Sequence, residues 1–169
     1  MVFPSVQHNR DYDMKEMQIT IPVQVCAYDE LDAADRALVD AARRATDGSY
    51  APYSNFHVGA AILLADGTVV TGANQENAAF SSGTCAERSA LFYAAASHPG
   101  VAMRKIAIAA RTADGAFQAL PISPCGACRQ ALLEYEHLYG DMEVILYGSD
   151  KIYRLPSVGS LLPLSFTEF

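Results

Sequence analysis

Four residues in two short segments have the types and spacing for metal-assisted proton transfer. Cys85 lies two residues before Glu87, and Cys125 lies three residues before Cys128. Because helix positions three apart share one face, Cys125 and Cys128 can bind the same ion. Each pair falls where a helix is predicted to begin, and the partial positive charge at a helix start favours the thiolate form of a cysteine.

The chemistry that this set of residues favours is zinc catalysis. Three thiolates that converge on one point suit zinc, which binds sulfur readily in proteins. The sequence shows no obvious fourth ligand, so one coordination position is left for water, as in catalytic zinc sites. A carboxylate beside that position could take a proton from the water and deliver it to a substrate. Glu87 is therefore the candidate catalytic residue.

Each of these residues also has a structural interpretation. Thr84 and Glu87 have the spacing of a capping box at a helix start. The spacing of Cys125 and Cys128 also occurs in thioredoxin-like dithiols, although that interpretation leaves Cys85 and Glu87 unexplained. A closed structural zinc site would need a fourth ligand, and no histidine has zinc-finger spacing. The histidines considered for that position are His57, His98 and His137.

The hydrophobic pattern predicts strands that alternate with helices. Helices are predicted over about 29–48, with Asp29 as the cap, over 85–98 with Thr84 as the cap, and over 123–140 with Ser123 as the cap. Strands are predicted over 17–27, 58–65, 68–73, 105–111 and 142–147, with a hairpin turn at Asp66-Gly67. Helices between strands form crossovers, so this order predicts a mostly parallel sheet that begins with an antiparallel hairpin. The two cysteine-bearing helices then start at strand carboxyl ends, where open α/β sheets place their sites.

Length, composition and charge limit the class of protein. The chain has 169 residues, 51% of them hydrophobic, which suits one domain with one core. Nineteen acidic against twelve basic residues give a net charge of −7, which disfavours binding to nucleic acids and to anionic membranes. The first seventeen residues lack the apolar stretch of a signal peptide, and no apolar run approaches the ~18 residues of a membrane span. We therefore expect a soluble, cytoplasmic protein whose four cysteines are thiols or metal ligands.

The two cysteine motifs together resemble the cytidine deaminase family, specifically its short, three-cysteine, homotetrameric branch. The motifs are TCAER at 84–88 and PCGACRQ at 124–130, and the segments SYAPYSNFHVGAA, GANQENAAF and LLPLSF are similar to the family's substrate loop, ribose-binding strand end and C-terminal lid. The resemblance extends from about Leu31 to Phe166. It implies a three-layer α/β/α sandwich with a mixed five-stranded sheet. Residues 29–169 would form a single catalytic domain, and residues 1–28 would be an N-terminal extension with a possible edge strand.

The resemblance also implies a role for each matching residue. Cys85, Cys125 and Cys128 match the ligands of one zinc ion per subunit, and Glu87 matches the proton shuttle. Arg88 matches an arginine that hydrogen-bonds the cysteine sulfurs, where its charge offsets the net −1 of three thiolates on zinc. The residues that match substrate contacts are Phe56, Asn74, Glu76, Phe80, Ala86 and Phe166.

These substrate contacts differ in kind. Asn74 and Glu76 match the residues that hold the sugar hydroxyls, although the pair could also be an ordinary strand end and turn. Phe56 matches an aromatic residue that lines the nucleoside pocket, and Ala86 matches a position whose backbone contacts the pyrimidine. Phe80 occupies a place where the family often has tyrosine, so only a stacking contact could remain there. Phe166 matches an aromatic residue that reaches a neighbouring subunit's site; singly, such aromatics are more often core or interface residues.

The resemblance implies zinc-dependent hydrolysis of cytidine and 2′-deoxycytidine to uridine and 2′-deoxyuridine plus ammonia, in pyrimidine salvage. The implied partners are a pyrimidine nucleoside and three further subunits of a homotetramer with sites at the interfaces, with no nucleic acid and no membrane. Two alternatives stay open. One is a deaminase of another aminopyrimidine nucleoside, such as a nucleoside antibiotic, and the other is a non-catalytic zinc or dithiol module.

Overall fold

The computed structural model describes residues 15–167, so the first fourteen residues of the predicted extension and the last two of the chain lie outside it. The helices are α1 (Ala33–Ala45), α2 (Ala86–Ser97) and α3 (Gly126–Tyr139). The strands are β1 (Gln24–Cys26), β2 (Phe56–Leu64), β3 (Val69–Ala73), β4 (Met103–Thr112), β5 (Glu143–Tyr147) and β6 (Ile152–Leu155). None of the helices in this part of the chain has the length and apolar content that crossing a membrane requires.

The three-layer α/β/α architecture is confirmed. α1 covers one face of the sheet, while α2 and α3 cover the other. Consecutive side chains of β2 alternate between these two faces. Ala60 and Ile62 pack in the core beneath α2 and α3, whereas Ala61 packs in the core beneath α1. The side chains of a strand point to opposite faces in turn, so one strand contributes to both cores.

The sheet has six strands in the order β1-β6-β5-β4-β2-β3, and the expected count of five was therefore wrong by one. The strand that was not predicted is β6, whereas β1 is the possible edge strand predicted in the N-terminal extension and does lie at the sheet edge. It pairs antiparallel with β6 from Gln24 opposite Arg154 to Cys26 opposite Ile152. β6 is only four residues long, so the strand predicted over 17–27 is limited to the three residues that find a partner on it.

The sheet is mixed, but the prediction that it is mostly parallel was wrong, because β4–β5 is its only parallel pair of described strands. The helices do connect strands that run in the same direction: α2 joins β3 to β4, and α3 joins β4 to β5. β2, however, lies between β3 and β4 and pairs antiparallel with both. The hairpin prediction is confirmed, since β2 and β3 flank a turn in which Gly67 has φ +88°.

The N-terminus of α1 is set by a different residue from the one predicted. Asp32 is the N-cap, and its Oδ1 accepts a hydrogen bond of 2.8 Å from the backbone N–H of Asp35. Asp29 lies instead in a short 3₁₀ turn, Tyr28–Glu30, that precedes the helix. Both aspartates satisfy the composition rule for a cap, so only the path of the backbone distinguishes them.

Candidate active site

The N-termini of α2 and α3 meet at one point, and each has a cysteine as its N-cap. Cys85 caps α2 and Cys125 caps α3, and neither thiol bonds to the backbone of its helix. The predicted caps Thr84 and Ser123 were therefore wrong. The N–H and C=O of Thr84 both bond to Gln75 over 2.9 Å, so its carbonyl is not available for the first hydrogen bond of the helix. That bond goes instead to the carbonyl of Cys85, which accepts from the Ser89 N–H over 3.0 Å.

The three cysteine sulfurs are close enough to bind one ion. Cys85 Sγ lies 3.8 Å from Cys125 Sγ, and Cys125 Sγ lies 3.4 Å from Cys128 Sγ. A tetrahedral zinc ion with bonds of about 2.3 Å would place its sulfur ligands about 3.8 Å apart. No histidine, aspartate or glutamate within residues 15–167 joins this group of ligand atoms. The donor set thus fits zinc with one coordination position left for another ligand.

The cluster favours thiolate character at Cys85. The Cys128 thiol and the Arg88 guanidinium both hydrogen-bond to its sulfur, and they lower the pKa of Cys85 to about 5. Arg88 Nη2 lies 3.9 Å from that sulfur. The same contact with Cys85, together with burial, raises the pKa of Cys128. A charged thiolate beside a guanidinium is the state in which cysteine binds metal.

Glu87 lies in the first turn of α2, beside the cysteines. Only 4% of its surface is exposed, and it belongs to the lining of the pocket that opens over the sulfurs. Burial raises the pKa of its carboxyl, and the nearby Cys85 adds to the rise. A buried carboxyl of raised pKa accepts a proton more readily than an exposed one and can release it again, which is the property a proton shuttle needs.

The pocket over the sulfurs has a volume of about 760 Å³, within the range of small-molecule sites. It lies between the carboxyl end of β3, the start of α2 and the loop that precedes α3. The structure brings together most of the predicted site residues, and those that line the pocket are Phe56, Asn74, Glu76, Phe80, Cys85, Glu87, Arg88 and Cys125. Cys128 is buried directly beneath.

The side chains of Asn74 and Glu76 are held by backbone groups. Asn74 Nδ2 donates to the carbonyl of Phe56 over 2.9 Å. Glu76 Oε2 accepts from the N–H groups of Tyr53, at 2.8 Å, and Ser54, at 3.3 Å. Hydrogen bonds from Ser54 and Tyr53 lower the pKa of the Glu76 carboxyl, so it is charged at neutral pH.

Three of the predicted substrate-contact residues, Phe80, Ala86 and Phe166, differ in exposure and in their position relative to the pocket. Phe80 is 97% exposed at the pocket mouth, in the 3₁₀ turn Phe80–Ser82. The Ala86 side chain is fully buried in the core, so only its backbone could contact a ligand. Phe166 is 67% exposed and does not line the pocket of its own chain; its carbonyl accepts a hydrogen bond of 2.9 Å from Gln130.

Several pocket residues were not singled out from the sequence. Tyr53 and Ser54 hold Glu76 through their backbone, and Ile122 lines the pocket on the side of α3. A backbone donor has no residue-type signal, so only the substrate-loop segment as a whole could have pointed to the first two. Ser49, behind Asn74, was also missed.

Comparisons with known proteins agree with this geometry. The family profile described as "Cytidine and deoxycytidylate deaminase zinc-binding region" matches residues 32–140. A cytidine deaminase from Sporosarcina psychrophila is 40% identical over 131 residues, which cover 78% of this chain and 90% of the relative. One from Halalkalibacterium halodurans is 40% identical over 132 residues, covering 77% and 92% of the two chains.

Solved structures give the same result. The crystal structure of a cytidine deaminase from Burkholderia pseudomallei has a TM-score of 0.64 and 43% identity, and it covers 77% of this chain and 97% of the other. That of a cytidine deaminase from Mycobacterium tuberculosis has a TM-score of 0.62 and 36% identity, covering 81% of this chain and 100% of the other. In each case about a fifth of this chain has no counterpart in the solved structure, whereas the solved structure is matched over almost its whole length.

Proposed function

Because this chain belongs to the cytidine and deoxycytidylate deaminase family, we propose that it hydrolyses cytidine and 2′-deoxycytidine to the uracil nucleosides and ammonia in a zinc-dependent reaction. The observation that carries the proposal is the position of Glu87. A buried carboxyl of raised pKa lies in the same pocket as three cysteine sulfurs that fit one zinc ion. A structural zinc or dithiol module has no need of that pocket or that carboxyl.

Cys85, Cys125 and Cys128 would hold one zinc ion per chain. Zinc bound there would supply a Lewis acid that acidifies water at its open position. Arg88 would offset the excess negative charge of the three thiolates, since its guanidinium already bonds to Cys85.

Glu87 would manage the protons of the reaction. It accepts a proton from the attacking water and gives it to N3 of the pyrimidine ring, while the water oxygen bonds to C4. It then carries the second proton to the amino group as the C4–N4 bond breaks, and ammonia leaves. The raised pKa of Glu87 allows the same carboxyl to act as base and then as acid.

The charges of the pocket favour a nucleoside over a nucleotide. Arg88 is the only lysine or arginine among the described lining residues, and it is bonded to Cys85. The other ionisable groups of the lining are acidic, namely the carboxyls of Glu76 and Glu87 and the thiols of Cys85 and Cys125. A substrate phosphate would meet like charges and find no free cation, whereas Asn74 and Glu76 can hydrogen-bond the hydroxyls of an uncharged sugar.

The rest of the pocket would contact the base and its surroundings. Phe56 would line the nucleoside site, the Ala86 backbone would contact the pyrimidine, and Phe80 would stack at the mouth. Phe166 would complete the site of a neighbouring subunit in a homotetramer, which suits an aromatic residue that is exposed and does not line the pocket of its own chain.

Residues 29–169 would form the catalytic domain, and residues 1–28 would be an extension that adds β1 to its sheet. The reduced thiols that the metal site requires fit the cytoplasm. Release of a uracil nucleoside from cytidine in that compartment fits pyrimidine salvage.

The test is formation of uridine from cytidine by the purified protein, separated by chromatography, beside the variants Glu87→Gln and Glu134→Gln. We expect turnover by the parent protein and a loss of kcat of about 10²- to 10⁴-fold in Glu87→Gln, with zinc still bound. Glu134 is exposed on α3, so its variant should match the parent. A folded, zinc-loaded protein that leaves cytidine intact would contradict the proposal, and other aminopyrimidine nucleosides would then be assayed.

A further inference from the structure

The amide of Asn74 has three hydrogen-bond partners on two segments, the chain that follows α1 and strand β2. Its Oδ1 accepts from the Ser49 hydroxyl at 2.6 Å and from the Val58 N–H at 2.8 Å. Its Nδ2 donates to the Phe56 carbonyl at 2.9 Å. An amide oxygen has two lone pairs and an amide nitrogen two hydrogens, so Oδ1 is saturated and one N–H remains.

We propose that Ser49 is a positioning residue for the sugar subsite, acting through Asn74. The proposal rests on the proposed function, which assigns Asn74 to the sugar hydroxyls. Ser49 does not line the pocket; it lies behind Asn74, on the chain that follows α1 and its terminal 3₁₀ turn Thr46–Gly48. Its hydroxyl therefore acts on the amide and not on the substrate.

The backbone places the Ser49 hydroxyl before any substrate arrives. The Tyr50 N–H donates to the carbonyl of Asn74 over 3.0 Å, and the Glu76 N–H donates to the carbonyl of Tyr50 over 2.8 Å. Gln75 Nε2 donates to the carbonyl of Gly48 over 2.8 Å. These bonds fasten the residues on both sides of Ser49 to the end of β3, so the hydroxyl has a fixed approach to Oδ1.

The consequence is a defined polarity for the subsite. Val58 and Phe56 fix which end of the amide carries oxygen, but they leave one lone pair of Oδ1 unused. Ser49 occupies that lone pair, so Asn74 can offer a ligand only an N–H donor. Glu76 offers only acceptors, and its Oε2 is already held by backbone. One donor beside one acceptor matches a sugar hydroxyl, which can accept from Asn74 and donate to Glu76.

The experiment compares Ser49→Ala with the parent protein on ligands with and without sugar hydroxyls. For cytidine, kcat/KM should fall about 3- to 10-fold through KM, with kcat nearly unchanged. As competitive inhibitors, uridine should bind more weakly by a similar factor, while 2′,3′-dideoxyuridine should keep its inhibition constant. Ser97→Ala is the matched control, because that serine ends α2, about 16 Å along the helix from the pocket.

The possible results separate the positioning role of Ser49 from the proposed deaminase activity. Unchanged constants for Ser49→Ala, or equal losses for both inhibitors, would overturn the positioning role while leaving the deaminase proposal intact. Failure of the parent to convert cytidine would instead remove the proposed function. If Ser49→Ala proves unstable in thermal unfolding, Ser49→Cys keeps the volume with a much weaker donor and should show the same selective loss.

Discussion

Cys85 and Cys125 occupy the same position, the N-cap, of two different helices, and their sulfurs lie 3.8 Å apart. Each therefore stands at the positive end of a helix, where a thiolate is stabilised. The third sulfur, that of Cys128, comes from the first turn of α3 and is buried. The geometry of the sulfur cluster is consequently set by how α2 and α3 pack on the sheet.

Loss of one cysteine of the cluster should abolish metal binding. We expect the parent protein to bind one zinc ion per chain and Cys128→Ser to bind only a small fraction of that amount, because a serine hydroxyl is a far poorer zinc ligand than a thiolate. Elemental analysis of the purified variants measures this directly. Cys26→Ser is the control, since Cys26 lies in β1 and outside the cluster. Stoichiometric zinc in Cys128→Ser would refute the assigned ligand set.

A methyl group at Gly72 should displace the start of α2. A Cβ there would lie 2.4 Å from the backbone nitrogen of Ala90 and 2.7 Å from the carbonyl oxygen of Ala86. Gly72→Ala should therefore lower the free energy of unfolding by about 1–3 kcal/mol, measured by urea denaturation. Gly126→Ala, where no atom lies within 4 Å of the added Cβ, should be neutral or slightly stabilising. Equal stabilities of the two variants would contradict the close packing of α2 on β3.

Glu136 should be essential for the C-terminal segment. Its buried carboxylate accepts from the N–H groups of Met142, at 3.0 Å, Val158, at 2.6 Å, and Gly159, at 2.9 Å. Glu136→Ala would leave three donors without their acceptor, and we expect the free energy of unfolding to fall by about 3 kcal/mol or more. Glu134→Ala, on the exposed side of the same helix, should change it by less than about 0.5 kcal/mol. If Glu136→Ala left the hydrogen-exchange protection of residues 158–161 nearly unchanged, Glu136 would not anchor this segment.

Stability should fall in acid through a cluster of four charges between α1 and the sheet. Asp35 is 1% exposed and lies within 2.9 Å of Lys105 and Arg154, which also contact Glu143. Partial burial acts to raise the pKa of Glu143, but the Arg154 hydrogen bonds and the charge of Lys105 outweigh it and lower the pKa below its ordinary 4.5.

Because the folded pKa of Glu143 is the lower one, the unfolded chain binds more protons in this range. Its contribution is complete above about pH 4.5 and is lost as the pH falls through the folded value. Urea denaturation between pH 6 and pH 3 should therefore show a shallower pH dependence for Glu143→Gln than for the parent protein. Parallel curves would show that Glu143 does not contribute to acid sensitivity.

The sequence by itself determined the features that depend on local spacing. The position of the β2–β3 turn follows from Asp66-Gly67, since glycine adopts the positive φ that such a turn requires. The two cysteine motifs indicated the family, which the comparisons confirm, and they predicted that three sulfurs would converge. These features need only nearby residues, so a pattern along the chain contains them. The roles assigned to the individual site residues stay predictions until they are assayed.

Only the tertiary structure decided the features that depend on partners distant in sequence. β1 and β6 are strands because each pairs with a neighbouring strand, as Val25 does with Tyr153. The hydrophobic pattern of neither segment predicts the length of its strand. Cys85 is the cap of α2 because the carbonyl of Thr84 already accepts a hydrogen bond from Gln75. The hydrogen bond from Ser49 to Asn74 joins residues 25 positions apart. Ser49 donates to the amide oxygen because Val58 and Phe56 fix which end of the amide carries that oxygen. Such contacts form only when the whole sheet has assembled, because the free energy of each alone is too small to overcome the conformational entropy of the chain.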